Sequence, residues 1–429
     1  MKKILKGGFS IKLATGLFVL ALLVLGVWFL LPKDAGILSV DTLPKYKIVI
    51  SEDATTLTEL LADYFQRQIR IQTDITLEIV NDATEISDYE IVLGNTTRAV
   101  SGKFYTDGKY NVADYSYSIK NEGNSISVGY SDSLALVDAI TELLDIIVNG
   151  DVTNIDIKDT YDMSEIAKAE DSYIRVMSHN IYSSLDSAFN GRIAYQARAE
   201  LSAECYLRYK PDFIGMQEAD QALRDEVYKY IAHEYAMVEF EMTENNWCPI
   251  FYRKDLYDLT KSDYCILDSM HALEWALYSG KSNPEEQFIH MNVHYNVDKE
   301  TALMQAEIVN NIIKGLMDEY PDVPITITGD YNATTTSSIF KTMMRDIDDK
   351  IQSGALLVNN DDSRIYTWHY LGDTTVWEYY AKDASIKGPI DHVSITTDLL
   401  ETLNYKVIHD PFSCWASDHY PIFLDITVK

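Results

Sequence analysis

In the second half of this chain, one apolar run of strand length after another ends on a carboxylate, an amide or a histidine. The clearest case is Ile325-Thr326-Ile327-Thr328-Gly329-Asp330-Tyr331-Asn332. Side chains alternate along a strand, so Asp330 and Asn332 point to one side, where an acid and an amide can position a water and hold a phosphate oxygen. Pro211-Asp212-Phe213-Ile214-Gly215-Met216-Gln217-Glu218 ends on an acid suited to a hard divalent cation. Val176-Met177-Ser178-His179-Asn180 ends on an amide. His290-Met291-Asn292-Val293-His294 puts its two histidines and Asn292 on one face and Met291 and Val293 on the other. Two further acids lead into strands, Asp391 in Gly388-Pro389-Ile390-Asp391-His392-Val393 and Asp418 in Ser417-Asp418-His419-Tyr420-Pro421-Ile422. An acid that hydrogen-bonds an imidazole fixes its tautomer and favours its charged form, which makes Asp391 a candidate partner for His419.

Each signal has a bland counterpart. Asp and Asn favour turns, a glutamate after a strand is commonly a solvated loop acid, and a lone strand histidine is commonly structural. Their succession in a fixed order carries the weight. Helical spacing fills the gaps: Arg192 to Tyr209 reads as a helix, and Leu303, Ala306, Val309, Ile312, Ile313 and Leu316 mark the apolar side of another. Strands are expected at Tyr173–Met177, Ile250–Tyr252 and Pro421–Val428 as well.

From Ser172 to Lys429 this order, Asn180, Gln217-Glu218, His294, Gly329-Asp330-Tyr331-Asn332, Asp391 and Ser417-Asp418-His419, resembles the endonuclease/exonuclease/phosphatase superfamily with its deoxyribonuclease-I-like fold. The resemblance implies an α/β fold class: a four-layered sandwich with two packed β-sheets flanked by helices. It implies Glu218 as a ligand of Mg2+ or Mn2+, with Asp418 near a second metal position and Asn180 assisting. Asp330 would orient or deprotonate the attacking water, and Asn332 would hold the scissile phosphate. His419, supported by Asp391, and His294 from the opposite side would contact the phosphate and stabilise its charge. Two positions depart from the pattern. Asn246 stands where many relatives carry a glutamate supporting the residue equivalent to His294, and Ala302 stands where an arginine often precedes a helix glutamine, here Gln305.

A small α+β domain is expected at 45–150. It has strands at Lys47–Ile50, Thr76–Val80 and Glu90–Leu93, a hairpin around Asn121-Glu122-Gly123-Asn124, and helices near Leu57–Phe65 and Leu136–Ile147. The polar stretch Asp151 to Asp171 reads as a linker to the catalytic domain at 172–429. Residues 1–34 read as a cytoplasmic tail and a transmembrane anchor. The apolar run Leu13 to Leu31 is long enough to span a hydrocarbon core as one helix, with lysines before it and an acidic chain after it. The alternative is a cleaved signal peptide, and either reading puts the folded part across the membrane. The four cysteines lack metal-cluster spacing.

The chain carries a net charge of -30, and its first 34 residues are basic, so the remainder is more acidic still. Such a surface repels polyanions, so nucleic acid is possible as a substrate but disfavoured. The aromatic stretch Tyr366, Trp368, Tyr370, Trp377, Tyr379 and Tyr380 reads either as a stacking platform or as packing beneath a loop. The residues therefore point to a membrane-anchored, extracytoplasmic, metal-dependent phosphoesterase, either a nuclease or a phosphodiesterase of small molecules or lipid headgroups. The alternative is a catalytically silent binding module that keeps the fold; oligomeric state is not readable. After cell disruption the protein is expected in the pelleted membranes, and recovery in the soluble fraction would contradict the anchor.

Overall fold

The computed structural model describes residues 42–149, 155–160, 174–185, 193–240, 247–358, 360–369, 388–408 and 413–429. The apolar run at 13–31, Asn246, and Tyr370, Trp377, Tyr379 and Tyr380 lie outside these. Among the described residues no helix is long and apolar enough to cross a membrane.

The N-terminal part forms a six-stranded sheet ordered β2-β1-β3-β7-β6-β8. Its strands are β1 (Lys47–Ile50), β2 (Glu78–Asn81), β3 (Glu90–Leu93), β6 (Ser116–Glu122), β7 (Ser125–Tyr130) and β8 (Asp156–Thr160). A short ribbon pairs β4 (Tyr105–Thr106) with β5 (Lys109–Tyr110). Helix α1 (Thr56–Thr73) begins where the Thr55 hydroxyl accepts the Thr58 N–H, and it buries Leu57, Leu61, Phe65 and Ile69. Helix α2 (Ser133–Asn149) buries Leu136, Ile140 and Leu143 in the same core. The stretch read as a linker departs from expectation. Within it β8 pairs with β6, aligning Ile157 with Ile119, because Ile155 and Ile157 alternate with polar residues and give even this charged segment an apolar side.

Two further six-stranded sheets follow. One is ordered β11 (Tyr235–Met237), β12 (Ile250–Arg253), β10 (Phe213–Gln217), β9 (Ile174–Asn180), β20 (Ile422–Val428) and β19 (Leu400–Val407). The other is ordered β13 (Tyr257–Ile266), β14 (Ala272–Gly280), β15 (Gln287–His294), β16 (Ile325–Asp330), β18 (Asp391–Thr396) and β17 (Ile351–Ser353). Alternation decides what each face meets. Met177, Ile214 and Met216 face outward against α3 (Tyr195–Tyr209) and α4 (Gln221–Ile231). Ile289, Met291, Val293, Ile325 and Ile327 face outward against α5 (Lys299–Glu319) and α6 (Ser338–Met343). The opposite faces of the two sheets meet each other, which gives the expected order helix, sheet, sheet, helix.

That middle layer is apolar at one end and polar toward the other. Phe213, Tyr278 and Phe288 pack together with ring centroids 4.8 and 5.0 Å from Phe213. Further along, Gln217 Nε2 donates to Asn292 Oδ1 at 2.7 Å, Thr328 Oγ1 donates to the same oxygen at 3.0 Å, and Asn292 Nδ2 donates to the Met216 carbonyl at 2.6 Å. Gly215 is required here for space. A Cβ on it would lie 2.0 Å from Thr328 Oγ1 and 2.5 Å from Asn292 Oδ1.

Strand direction then gathers the site. β9 and β10 are parallel, as are β15 and β16, so Asn180, Gln217, His294 and Asp330 all end at one edge. β18 and β20 run the other way, so their starts reach the same edge, and Asp391 pairs directly with Asp330.

Glu274 is the buried acid of the middle layer, and neither of its oxygens has a hydrogen-bond partner. Burial raises its pKa well above the ordinary value of 4.5, opposed by Arg224. A raised carboxyl makes the folded state bind the extra proton, so it costs stability above the unfolded pKa, at up to ~1.4 kcal/mol per pH unit. Glu274→Gln is therefore expected to raise Tm at pH 8, with the gain vanishing near pH 4.5; thermal melts across that range test it.

Candidate active site

Asp330 lies at the centre of the gathered strand ends and is almost wholly buried. Its Oδ1 accepts the Asn332 N–H at 2.8 Å, and its Oδ2 accepts from Asn180 Nδ2 at 3.1 Å. The same Oδ2 stands 3.6 Å from His294 Nε2 and 3.7 Å from His419 Nε2. Two imidazoles therefore approach one carboxylate oxygen from opposite walls. Asn332 Nδ2 lies 3.3 Å from His294 Nε2 and donates to the Tyr295 carbonyl at 2.8 Å.

The pairing expected of Asp391 and His419 is present: His419 Nδ1 lies 2.8 Å from Asp391 Oδ2. Both are buried. Burial works against charge on His419, but Asp391, Asp330 and Asp418 outweigh it and hold the imidazole pKa well above its ordinary value. His419 thus presents a charged Nε2–H toward Asp330.

Glu218 follows β10 and Asp418 precedes β20. Asn180 Nδ2 donates to Glu218 Oε1 at 3.1 Å as well as to Asp330, while its own oxygen accepts the Tyr182 N–H at 3.1 Å. In this arrangement Asn180 aims two carboxylates rather than offering an oxygen. Glu218 and Asn332 both adopt left-handed backbone, at φ 56 and 48 degrees. Asn tolerates this; for Glu it costs on the order of 1 kcal/mol, a strain of the kind that clusters at working sites. Asp418 has its pKa raised by burial, opposed by His419 and reinforced by the charge of Glu218.

A single short segment stitches the site together. The Thr367 hydroxyl accepts the N–H groups of Ile390 and Asp391 at 3.2 and 3.1 Å. Trp368 pairs with His419 as an isolated bridge, and its indole Nε1 donates to Asp418 Oδ2 at 2.9 Å. Tyr366 and Trp368 line the cleft, so these two members of the aromatic stretch face the open site, whereas His369 packs on Tyr420 with centroids 4.5 Å apart. The cleft has a volume of about 880 Å³ and is lined by Glu218, His294, Asp330, Asn332, Asp418 and His419. Gln217, adjacent to Glu218 in sequence, lies one layer deeper and serves the sheet contact. His290 is likewise structural, with Nδ1 2.9 Å from the Thr326 hydroxyl.

Among the wall residues that sequence reasoning missed is His271. It sits in the turn between β13 and β14, with Nδ1 2.6 Å from Asp268 Oδ1 and its ring 4.6 Å from that of His294. The spacing of Asp268 and His271 within a turn was the available signal, but their contact with His294 depends on the fold.

A divalent cation fits two places by donor chemistry. Glu218 and Asp418 offer oxygen ligands whose mutual repulsion a cation would relieve. Asp330, Asp391 and His419 also have ligand atoms within 4.8 Å of one another. There the His419 proton competes, because Nδ1 is committed to Asp391 and the ring is held charged. The all-oxygen pair suits a hard cation better.

The arrangement of layers and strand ends defines a class of protein, a sandwich with a polar cleft at one edge. No known protein family and no curated protein matches the sequence. The fold is that of the endonuclease/exonuclease/phosphatase proteins. One from Bacteroides vulgatus is 20% identical, with a TM-score of 0.51 and coverage of 60% of this chain and 100% of that one. A mannosyl-6-phosphatase from Bacteroides thetaiotaomicron is 16% identical, covering 59% and 99%, with a TM-score of 0.49. The human Nocturnin catalytic domain with bound sulfate anion is 18% identical, covering 60% and 94%, with a TM-score of 0.46.

Asp391→Asn keeps the shape of the His419 contact but removes its charge. The His419 pKa is then expected to fall below its wild-type position, because Asp330 and Asp418 alone are left to oppose burial; 15N-histidine NMR titration reads the difference directly. The stability the pair supplies is complete below about pH 6.5 and fades as pH rises through the raised folded value, so the variant's deficit in Tm shrinks on the alkaline side.

Proposed function

We propose that this chain hydrolyses phosphate esters with a divalent cation, Mg2+ or Mn2+. One observation carries the reading: Asp330 Oδ2 is shared by Asn180 Nδ2, His294 Nε2 and His419 Nε2 within 3.1 to 3.7 Å at the floor of the cleft. Glu218 and Asp418 would hold the cation, with Asn180 aiming Glu218. The bound cation would supply Lewis-acid stabilisation of a phosphoryl oxygen. Asp330 orients a water and accepts its proton. The charged Nε2–H of His419 donates to a non-bridging phosphoryl oxygen, where negative charge must be stabilised during transfer. Asn332, fixed by the Tyr295 carbonyl, holds the phosphate beside His294.

Among substrates, the reading favours a small molecule or lipid headgroup over a nucleic acid. The chain carries a net charge of -30, and of the described residues lining the cleft only Lys299 is a lysine or arginine. A polyanion gains little from such a surface. Tyr366, Trp368, Trp247 and Met270 give the cleft flat and apolar walls for the rest of the substrate. The residues at 13–31 are proposed to anchor the protein, N-terminus in the cytoplasm and sandwich outside, with 45–150 as a small α+β domain and 172–429 as the catalytic domain. A silent binding module has no specific support, since Glu218, His294, Asp330, Asn332, Asp418 and His419 all line one cleft.

Full-length protein in detergent is to be tested with Mg2+ or Mn2+ on plasmid, RNA, a chromogenic phosphodiester, a phosphomonoester and phospholipid. Activity is expected to disappear with EDTA and return with the metal. Asp330→Ala and His419→Ala are each expected to lower kcat/KM by at least ~10²-fold. No hydrolysis of any substrate, or hydrolysis that survives both substitutions, would sink the reading.

A further inference from the structure

His271 occupies the cleft wall beside His294 and belongs to no strand end. It is held from one side only. Asp268 Oδ1 accepts from His271 Nδ1 at 2.6 Å, from its backbone N–H at 3.0 Å and from that of Met270 at 2.9 Å. Asp268 Oδ2 accepts from Gln305 Nε2 at 2.8 Å and from Asn296 Nδ2 at 3.1 Å. Gln305 Oε1 in turn accepts the Asn296 N–H at 2.8 Å. Every sector of this carboxylate is thus filled, and the turn that carries it is tied to the start of α5. Burial opposes charge on Asp268, but these donors outweigh it and bring its pKa down to about 2.

A carboxylate only accepts, so the proton on His271 is on Nδ1 and the ring cannot rotate without breaking a charge-assisted bond. The fixed ring meets that of His294 edge to face, with centroids 4.6 Å apart and planes at 65 degrees. His294 Nε2 points the other way, to Asn332 and Asp330. His294 is therefore gripped between a rigid, negatively backed imidazole and the centre of the site.

We propose that His271, fixed by Asp268, is a positioning residue that sets the ring orientation of His294 and places negative charge behind it. This rests on the phosphoesterase reading for its consequence in catalysis, while the geometric coupling stands apart from it. Asp268 and His271 act on the reaction through His294 rather than on the substrate, as outer partners of a ligand or catalytic histidine do.

The test uses His271→Phe, which keeps an aromatic ring against His294 but drops the bond to Asp268, and Asp268→Asn, which keeps the shape of the turn. Both are expected to melt close to wild type. In 15N-histidine NMR without substrate, the ring signals of His294 are expected to move in both variants. In turnover, kcat is expected to fall about 10-fold or more with KM within about twofold. In a His294→Ala background, His271→Phe is expected to cost nothing further, because residues acting as one unit are not additive. Unmoved His294 signals in the folded variants would overturn the proposal. So would a loss confined to KM, which marks a substrate contact, or losses that multiply in the double variant. Absence of turnover on every phosphate ester would count against the proposed function alone, since the NMR readout needs no substrate.

Discussion

The contact between the two sheets is the constraint from which the site follows. Sheets packed face to face normally bury apolar side chains, yet near the cleft this interface is made of Gln217, Asn292, Thr328 and Ser178. Buried polar groups are tolerated when they are hydrogen-bonded, and a directional network fixes register as apolar packing does not, although Gln217 Oε1 is left without a partner. Asn292 uses its oxygen for Gln217 and Thr328 and its nitrogen for backbone carbonyls of the facing sheet. The two sheets are thereby keyed to each other within two residues of Asn180, Glu218, His294 and Asp330. Gly215 lets them close that far. A looser or shifted interface would move the two histidines apart, because they belong to different sheets.

The two walls of the cleft differ in how they hold their imidazole. His419 is bonded directly to a buried carboxylate, Asp391, and is held charged by three acids. His294 instead faces Asn332 and Asp330 through Nε2 and the ring of His271 on its other side. One imidazole is therefore committed to carry positive charge, and the other is held chiefly in orientation. A phosphoryl group between them meets unlike neighbours, which suits a reaction in which one oxygen needs a fixed charge and another needs a shaped contact.

Much of this was legible in the sequence because it is carried by alternation. β15 alternates apolar and polar residues, and Asp330 and Asn332 lie two apart at the end of β16, so the sides on which His294 and Asp330 emerge could be read from spacing, while β9, β10 and β20 were legible as short apolar runs. The pairing of Asp391 with His419 was legible as chemistry rather than pattern. Other elements lacked such a signal. β13 is an edge strand with most of its side chains exposed, so no apolar face marks it. β14 carries the buried acid Glu274 at a position where periodicity expects an apolar residue. β8 hides in a charged segment and is held by pairing with β6. The role of His271 was beyond reach for a different reason: its partner Asp268 is local, but its contact with His294 arises only when the β13–β14 turn folds back over the cleft.

The N-terminal part is packed against the sandwich rather than strung before it, and the place of contact matters. Thr55 donates to Glu200 on α3 at 3.1 Å, and Arg208 pairs with Asp132 at 2.9 Å. Tyr64 of α1 meets Trp415 with centroids 6.3 Å apart. Trp415 belongs to a short helix, Ser413–Ala416, that runs directly into Ser417-Asp418-His419. Ser417 Oγ donates to the Asn180 carbonyl at 2.6 Å, while Asp418 is held by Trp368 and His419 by Asp391. The segment that carries an acid and a histidine of the site is thus braced on one side by the strand end at Asn180 and on the other by a residue that leans on the first sheet's helix. A spacer alone has no need of such a contact. Rigid support of catalytic groups depends on what packs behind them, and Tyr64 of the N-terminal part packs, through Trp415, behind the His419 wall.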